Sequence, residues 1–281
     1  MIEFHVGRGP HLFLDEASAL DVQGCVVGGV DIAPGKAVPD DGDPRILHSV
    51  GGFLFTCGPD HIRHPEPIEG RTDGRKFPLH GSLAGTPAVV ISNEQSSSRA
   101  EISATVVVEL AQGGAARLER RWTMDGASGA TTLSDRVVNI GDTPFPPVFM
   151  YHMNIGAHLF DDRTRLDGAM FEDGSIGWKF GNTDMKVFCV PATVEPGHEE
   201  AAMALGPIAG IAGRTLKVAF SVDTLPHLQM WRNQERPAHV LGIEPVSHRW
   251  VSRAELLAAG ELDRLQPGES RDYSISFVFE D

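Results

Sequence analysis

The chain has 281 residues, with 24 basic and 38 acidic side chains, a formal charge of −14, and 41% hydrophobic against 22% charged residues. That length and balance describe an ordinary folded chain able to bury a core without disulfide staples. The acidic surplus argues against nucleic acid and anionic membranes, which demand a basic face, and leaves a neutral or cationic small molecule as the easier ligand.

The first ten residues, MIEFHVGRGP, hold no basic segment followed by a long apolar run, so a secretory leader is not expected. Residues 203–213 (MALGPIAGIAG), the least polar stretch, are too short and too Gly-rich to span a bilayer. Cys25, Cys57 and Cys189 are widely spaced and form no CxxC pair, which points to neither a disulfide scaffold nor a structural zinc site. These features read as a protein of the reducing cytoplasm.

Gly (31) and Pro (19) punctuate the chain at short intervals, and runs of period-two hydrophobicity lie between them. In 101–110 (EISATVVVEL), Ile102, Ala104, Val106, Val108 and Leu110 share one face and Glu101, Ser103, Thr105 and Glu109 the other. This predicts a strand with one face on a core and one in water. Gln112-Gly113-Gly114 turns into a second strand over 116–124, and 125–129 turns into a third over 130–139, which makes an antiparallel meander. A last strand covers 271–280 (RDYSISFVFE) after the turn Gln266-Pro267-Gly268. The clearest helix is a short connector over 252–260, where Ser252 and Glu255 have capping-box spacing and Gly260 suits the stop. Sustained βα alternation is missing, so Rossmann and TIM architectures are disfavoured. No compositional break cuts the chain, and one large antiparallel β-sandwich over 1–281 is the expected fold.

Three polar clusters stand out. In 51–87, the apolar run Phe53-Leu54-Phe55 leads through Cys57-Gly58-Pro59 into a loop with Asp60, His61, Arg63 and His64, and then to Leu79-His80-Gly81. A histidine at such a turn can face a cleft, or can simply bond to loop backbone. In 145–160 (FPPVFMYHMNIGAHLF), His152 and Asn154 project from one strand face, with Tyr151 and Met153 on the other. Two polar groups on an otherwise apolar face are either buried and paired, or part of a binding site. In 222–248, Gln229 and Trp231 share a face, and Glu244 lies inside the run Val240–Val246. A carboxyl buried there would have its pKa raised towards the range of proton transfer, whereas on an edge strand it would face water.

Taken in order, LHG (79–81), YHMNIG (151–156), TLPHLQMWRN (224–233) and GIEP (242–245) resemble the galactose-mutarotase-like superfamily. GGFLFTCG (51–58) and LHGSLAGTPA (79–88) are especially similar to its divergent aldose 1-epimerase-like branch, and the likeness spans about 50–250 with a C-terminal PGESRDYSISFVF segment. The resemblance implies a large antiparallel β-sandwich that binds a monosaccharide or sugar derivative on a concave face and needs no metal or other cofactor. It places His152 at the catalytic general acid and Glu244 at the general base. His80, Gln229, Arg63, Asn154 and Trp231 become candidate substrate contacts, with Trp231 or Phe55 offering an apolar face to the sugar. The family's Asn-Arg pair is replaced here by CGPDHIRH, where Arg63 is the better candidate and Asp60 the weaker; its hydroxyl-gripping Asp has no clear counterpart. A homodimer is left open.

Anomer interconversion matches these residue types, because one group must remove the C1 hydroxyl proton while another protonates the ring oxygen. A nearby Glu244 would favour the charged form of His152. The main rival is a metal-dependent sugar isomerase using His61, His64, Glu66 and His80, with His152 able to join them, although the usual HxH strand pair is missing. A non-catalytic carbohydrate-binding module is the other. Neither GxSxG nor GxxxxGK[ST] occurs, and His5, His11, His158, His198 and His239 read as surface residues.

Overall fold

A computed structural model of the chain describes residues 1–35 and 43–281. The alternation read in the chain's middle third becomes three long antiparallel strands, Arg99–Glu109, Ala115–Asp125 and Thr131–Asn139. Their inner side chains are buried at every second position, as in Ala100, Ile102, Ala104, Val106 and Val108. The turns form where backbone freedom permits: Gly113 and Gly114 take φ of 101° and 85°, values that favour glycine. At the next turn the Asp125 carboxylate accepts from both the Ser128 N–H and its hydroxyl, each at 2.7 Å.

Among the described residues this meander belongs to a nine-stranded antiparallel sheet. Its order is Ser175–Gly177, Arg165–Asp167, Glu200–Ile208, Arg214–Ser221, Ser270–Glu280, Thr131–Asn139, Ala115–Asp125, Arg99–Glu109 and Val89–Gln95. A second nine-stranded sheet runs Ile2–Phe4, His11–Asp15, Asp21–Val27, Leu54–Cys57, Met150–Gly156, Val240–Val246, His227–Asn233 and Met185–Pro191, with Val30–Asp31 paired to Asp21–Val27. The two sheets enclose one contiguous hydrophobic core that includes Ile102, Trp122, Leu133, Tyr151, Met153, Phe220, Ile243 and Phe277. The expected antiparallel β-sandwich is therefore the observed fold.

Within that core lies a buried charge cluster. Arg120 reaches from the meander to Asp135 on the neighbouring strand (2.7 and 2.8 Å), to Asp21 on the facing sheet (2.6 Å) and to the Ala19 carbonyl (2.7 Å), and it also bonds the Thr56 hydroxyl. Tyr151 donates to the same Asp135 carboxylate at 2.9 Å. Burial holds the Asp21 carboxyl up at about 6 even with Arg120 beside it.

Two helices pack outside the sheets. Arg253–Ala258 is the expected connector, with the reciprocal capping box of Ser252 and Glu255 in place. The other, Pro44–Gly51, is absent from the expectation above; Asp43 caps it and Pro44 stands in its first turn, a start signal that the turn-rich context obscures. Its Ile46 and Val50 join Phe55, Cys57, Ile62, Leu79, Ala84, Val148, Met150 and Val246 in a second apolar cluster on the outer face of the second sheet. The long segment after Cys57 is fastened over this face. Asp60 accepts from the Ser82 N–H and hydroxyl and from the Ala111 N–H, and Arg253 donates to the Asp60 carbonyl and to Glu69. Layered structure on both faces explains why Leu54–Cys57, Met150–Gly156 and Val240–Val246 are buried along their whole lengths.

Candidate active site

Register assembles the site. Across antiparallel neighbours, paired residues project from the same face. His152 pairs with Phe55, Gln229 with Glu244 and Cys189 with Gln229, while the pairings Met150–Val246 and Met153–Ile243 set His152 opposite Glu244. Phe55, His152, Glu244, Gln229 and Cys189 thus form one lateral row over five adjacent strands, on the outer face. Their chain neighbours Leu54, Tyr151, Met153, Ile243, Leu228 and Met230 point the other way into the core. In the adjacent row Asn154 pairs with Gly242, and Gly242 with Trp231.

His152 and Glu244, about 90 residues apart in the chain, meet with Nε2 3.3 Å from Oε1, and both side chains are almost fully buried, 5% and 1% exposed. Phe55 stacks on the imidazole with ring centroids 4.7 Å apart, and His80 and Trp231 stand edge-on to it at 5.4 and 5.5 Å. Burial pushes the Glu244 carboxyl up to about 8, against the opposing pull of its Gln229 hydrogen bond and the Arg63 charge. Burial also pushes the His152 imidazole down to about 3, with Asn154 acting weakly the other way. Between those values the pair holds one proton, and burial places it on Glu244. The imidazolium–carboxylate arrangement expected above is the other tautomer of the same one-proton pair.

Gly242 makes this contact sterically feasible. A methyl group there would lie 2.7 Å from Glu244 Oε1, 3.2 Å from the Trp231 ring and 3.3 Å from His152 Cε1. In the sequence it is only one letter of a short motif; its significance appears when three side chains converge over it.

Arg63 and Gln229 stand beside the pair in a chain of hydrogen bonds. Arg63 donates from Nε to Gln229 Oε1 (2.8 Å), from Nη1 to the Arg249 carbonyl (2.9 Å) and from Nη2 to the His248 carbonyl (2.9 Å). Its guanidinium carbon lies 5.3 Å from the Trp250 ring centroid. Gln229 in turn donates from Nε2 to Glu244 Oε2. One guanidinium N–H thus holds the Gln229 amide, which in turn holds the Glu244 carboxyl, and two more N–H groups are bound to backbone carbonyls.

His80 remains at the row's edge, half-buried, with φ of 56° in the left-handed region that disfavours side chains. Its N–H bonds the Arg63 carbonyl at 2.8 Å and its carbonyl accepts from Gly58 at 3.0 Å. Asn154 is completely buried beside the imidazole, and neither its amide nitrogen nor its oxygen makes a hydrogen bond of standard length and angle among the described residues; His152 Nδ1 and Glu244 Oε1 are in the same state. Buried polar atoms without partners are rare, and here they gather beside the acid–base pair.

The rival metal ligands are dispersed. His61 Nε2 lies 2.6 Å from the His64 carbonyl and its ring stacks on Phe77, while Glu66 accepts from the Arg253 N–H. Among the described residues no group of three or more His, Cys, Asp or Glu is placed to hold a metal ion. Asp60 fastens the loop through Ser82 and Ala111. Of the histidines expected at the surface, His158, His198 and His239 are exposed, whereas His5 and His11 are half-buried and stacked on each other at 3.6 Å. Surface hollows of about 440 and 640 Å³ lie away from the row, the first lined by Arg8, Arg214 and Asp281 and the second on the outer face of the meander. No helix among the described residues is long and apolar enough to cross a membrane.

This architecture defines a galactose-mutarotase-like β-sandwich. It is similar to a candidate aldose 1-epimerase from Klebsiella pneumoniae subsp. pneumoniae, with a TM-score of 0.78 and 17% identity over 97% of this chain and 77% of that one. It is also similar to a galactose mutarotase-like protein from Clostridium acetobutylicum (TM-score 0.68, 13% identity, 98% and 94% of the two chains) and to a GalM/aldose epimerase homologue from C. elegans (0.63, 13%, 99% and 98%). At these identities the likeness is one of fold. The chain belongs to the DUF4432 family, a domain of unknown function, whose profile matches residues 29–173 and 179–278. No curated protein matches it.

Proposed function

We propose that the chain is an aldose 1-epimerase that interconverts the anomers of a neutral monosaccharide, with His152 and Glu244 as its acid–base pair. The observation that carries this reading is the buried 3.3 Å contact between the His152 imidazole and the Glu244 carboxyl. Ring opening takes the O1 proton onto the basic member as the acidic member protonates O5; the C1–O5 bond breaks and C1 becomes an aldehyde. Rotation about C1–C2 turns the other face of the carbonyl towards O5. Ring closure then returns a proton to O1 and removes one from O5, so the pair ends as it began. Opening moves the shared proton from one member to the other and closing moves it back, so no outside proton is needed. His80 and Asn154 supply polar contacts for the sugar hydroxyls, Trp231 and Phe55 supply apolar surface, and Arg63 acts through Gln229 to hold the Glu244 carboxyl in line.

The test is anomer exchange measured by NMR across a panel of aldoses. At least one neutral sugar exchanges faster with the protein than in buffer; a panel exchanging only at the buffer rate, binding or not, contradicts the reading. The pH profile adds a second check. Because the pair loses its proton as pH rises through the raised Glu244 value, kcat/KM falls above about pH 8. Because His152 does not gain a proton until about pH 3, no break occurs near the ordinary histidine value of 6.5. A rate that halves near pH 6.5 contradicts this proton assignment.

Gly242→Ala leaves the strand intact, since alanine tolerates extended backbone, but forces the Glu244 carboxyl and His152 apart. The expected result is a loss of about 10²-fold in kcat/KM with the melting temperature nearly unchanged. Wild-type kinetics in this variant would show that the close contact is not required.

A further inference from the structure

We infer that Cys57 is a positioning residue for His80: its thiol donates to Nδ1, so that the ring carries its proton on Nε2 and presents that N–H to the sugar. This rests on the proposed epimerase reading for the word sugar, but the thiol–imidazole contact and the tautomer it imposes do not.

The contact is Cys57 Sγ to His80 Nδ1 at 3.4 Å. Cys57 is fully buried on the strand next to His152, paired in register with Met150, within the apolar cluster on the outer face. The His80 ring cannot turn freely. It stands edge-on to Phe55 at 5.5 Å and to His152 at 5.4 Å, and its left-handed backbone is held by the Arg63 carbonyl and the Gly58 N–H. Backbone strain persists only where surrounding contacts over-determine it, and it concentrates at functional sites. Gly81, which follows, has no room for a side chain: a methyl group would lie 2.2 Å from the His61 carbonyl oxygen. His80 is thus delivered to one place and one ring orientation, which leaves the tautomer as its remaining freedom.

Chemistry settles which partner donates. Burial and the Glu244 and Asp21 charges push the Cys57 thiol well above its usual range, so it remains S–H. Burial and the neighbouring His152, His64, His61 and Arg63 push His80 well below its usual range, so the ring is neutral, with one N–H and one bare nitrogen. A thiol is a weak donor and a weak acceptor alike, whereas a bare imidazole nitrogen is a good acceptor, so S–H to nitrogen is the better of the two pairings. With Nδ1 accepting, Nε2 carries the hydrogen. Among the described residues Nε2 makes no hydrogen bond, and the ring stands edge-on to His152 of the acid–base pair with centroids 5.4 Å apart.

The experiment uses the full chain with 15N-labelled histidine, and reads long-range 1H–15N couplings of His80 beside kinetics on whichever aldose the panel identifies. Wild type shows protonated Nε2 and bare Nδ1. Cys57→Ala shows a mixture of both tautomers, and Cys57→Ser, whose hydroxyl can also donate, returns to the wild-type pattern. If the epimerase reading holds, KM in Cys57→Ala rises about three- to tenfold, more than kcat falls, and Cys57→Ser recovers most of it. A wild-type ring protonated on Nδ1 overturns the inference, and needs no variant to fold. So does an unchanged tautomer in Cys57→Ala. Should the tautomers follow the prediction while no aldose exchanges, the epimerase reading fails and the positioning of His80 by Cys57 stands.

Discussion

Glu244→Gln lowers kcat for anomer exchange by about 10²–10⁴-fold and at the same time makes the protein more stable at pH 8. The loss of rate follows from the chemistry, since an amide of the same shape can neither give nor take the proton that the pair must move. His152→Ala has a loss of similar size, and the double variant is little worse than either single one, because the two groups act as a unit. The gain in stability follows from linkage. The Glu244 carboxyl is raised to about 8 in the folded chain from an ordinary 4.5. From about pH 4.5 upward the unfolded chain releases that proton while the folded chain keeps it, so folding stability declines as pH rises and levels off above about 8. Glutamine has no such liability. Melting temperatures of the variant and wild type therefore coincide near pH 4.5 and separate by on the order of 10 °C at pH 8, the variant higher. A variant that loses activity and stability together would mark Glu244 as a structural residue instead.

Arg120→Met lowers stability by about 3–5 kcal/mol, on the order of 10 °C in melting temperature. Methionine fills much of the arginine's volume, so the loss comes from charge rather than from a cavity. Asp21 and Asp135, both buried, are left facing each other without their cation. Burial already holds Asp21 at about 6 with Arg120 present; without it, the carboxyl is raised further and the penalty grows as pH rises through neutrality. Asp21→Asn and Asp135→Asn added to Arg120→Met recover most of the loss, since neutral amides tolerate the arginine's absence. Thermal unfolding of the single and triple variants between pH 5 and 8 checks both parts. The cluster also bears on the site. Thr56 and Tyr151, which bond to Arg120 and Asp135, are the chain neighbours of Phe55 and His152 and project from the opposite face of the same strands. A charged brace in the core thereby fixes the strands that carry the acid–base pair.

The parts of the fold legible in the sequence are those with one wet face. Arg99–Glu109 through Thr131–Asn139 and the C-terminal Ser270–Glu280 alternate because their outer side chains meet water, and their boundaries lie within a residue or two of the expected ones. The strands that hold the acid–base pair have no wet face. Met150–Gly156 and Val240–Val246 are covered on both sides, so alternation fails and only the presence of His, Asn and Glu in apolar runs signals that something other than packing occurs there. That His152 and Asn154 share a face follows from strand geometry alone. That His152 meets Glu244 does not, because it depends on the pairing of strands about 90 residues apart, and only resemblance to a family suggested it. The hydrogen-bond chain from Arg63 through Gln229 to Glu244 is the least legible part of the site. A residue type suited to gripping a ligand is equally suited to gripping a carboxamide, and only the hydrogen-bond partners distinguish the two. Cys57 and Gly242 lie within the family-like motifs GGFLFTCG and GIEP, but their significance is three-dimensional: one lies 3.4 Å from a histidine nitrogen, and the other leaves the space that a Cβ would fill.

The structure of the protein bound to a neutral aldose that it exchanges tests the central claim most directly. The account predicts the sugar over the outer-face row, with O1 and O5 each within about 3 Å of the Glu244 carboxyl or His152 Nε2, and the direct contact between those two groups opened to admit it. A sugar seated elsewhere, for example in the hollow between Arg8, Arg214 and Asp281, with the 3.3 Å contact undisturbed, would contradict it.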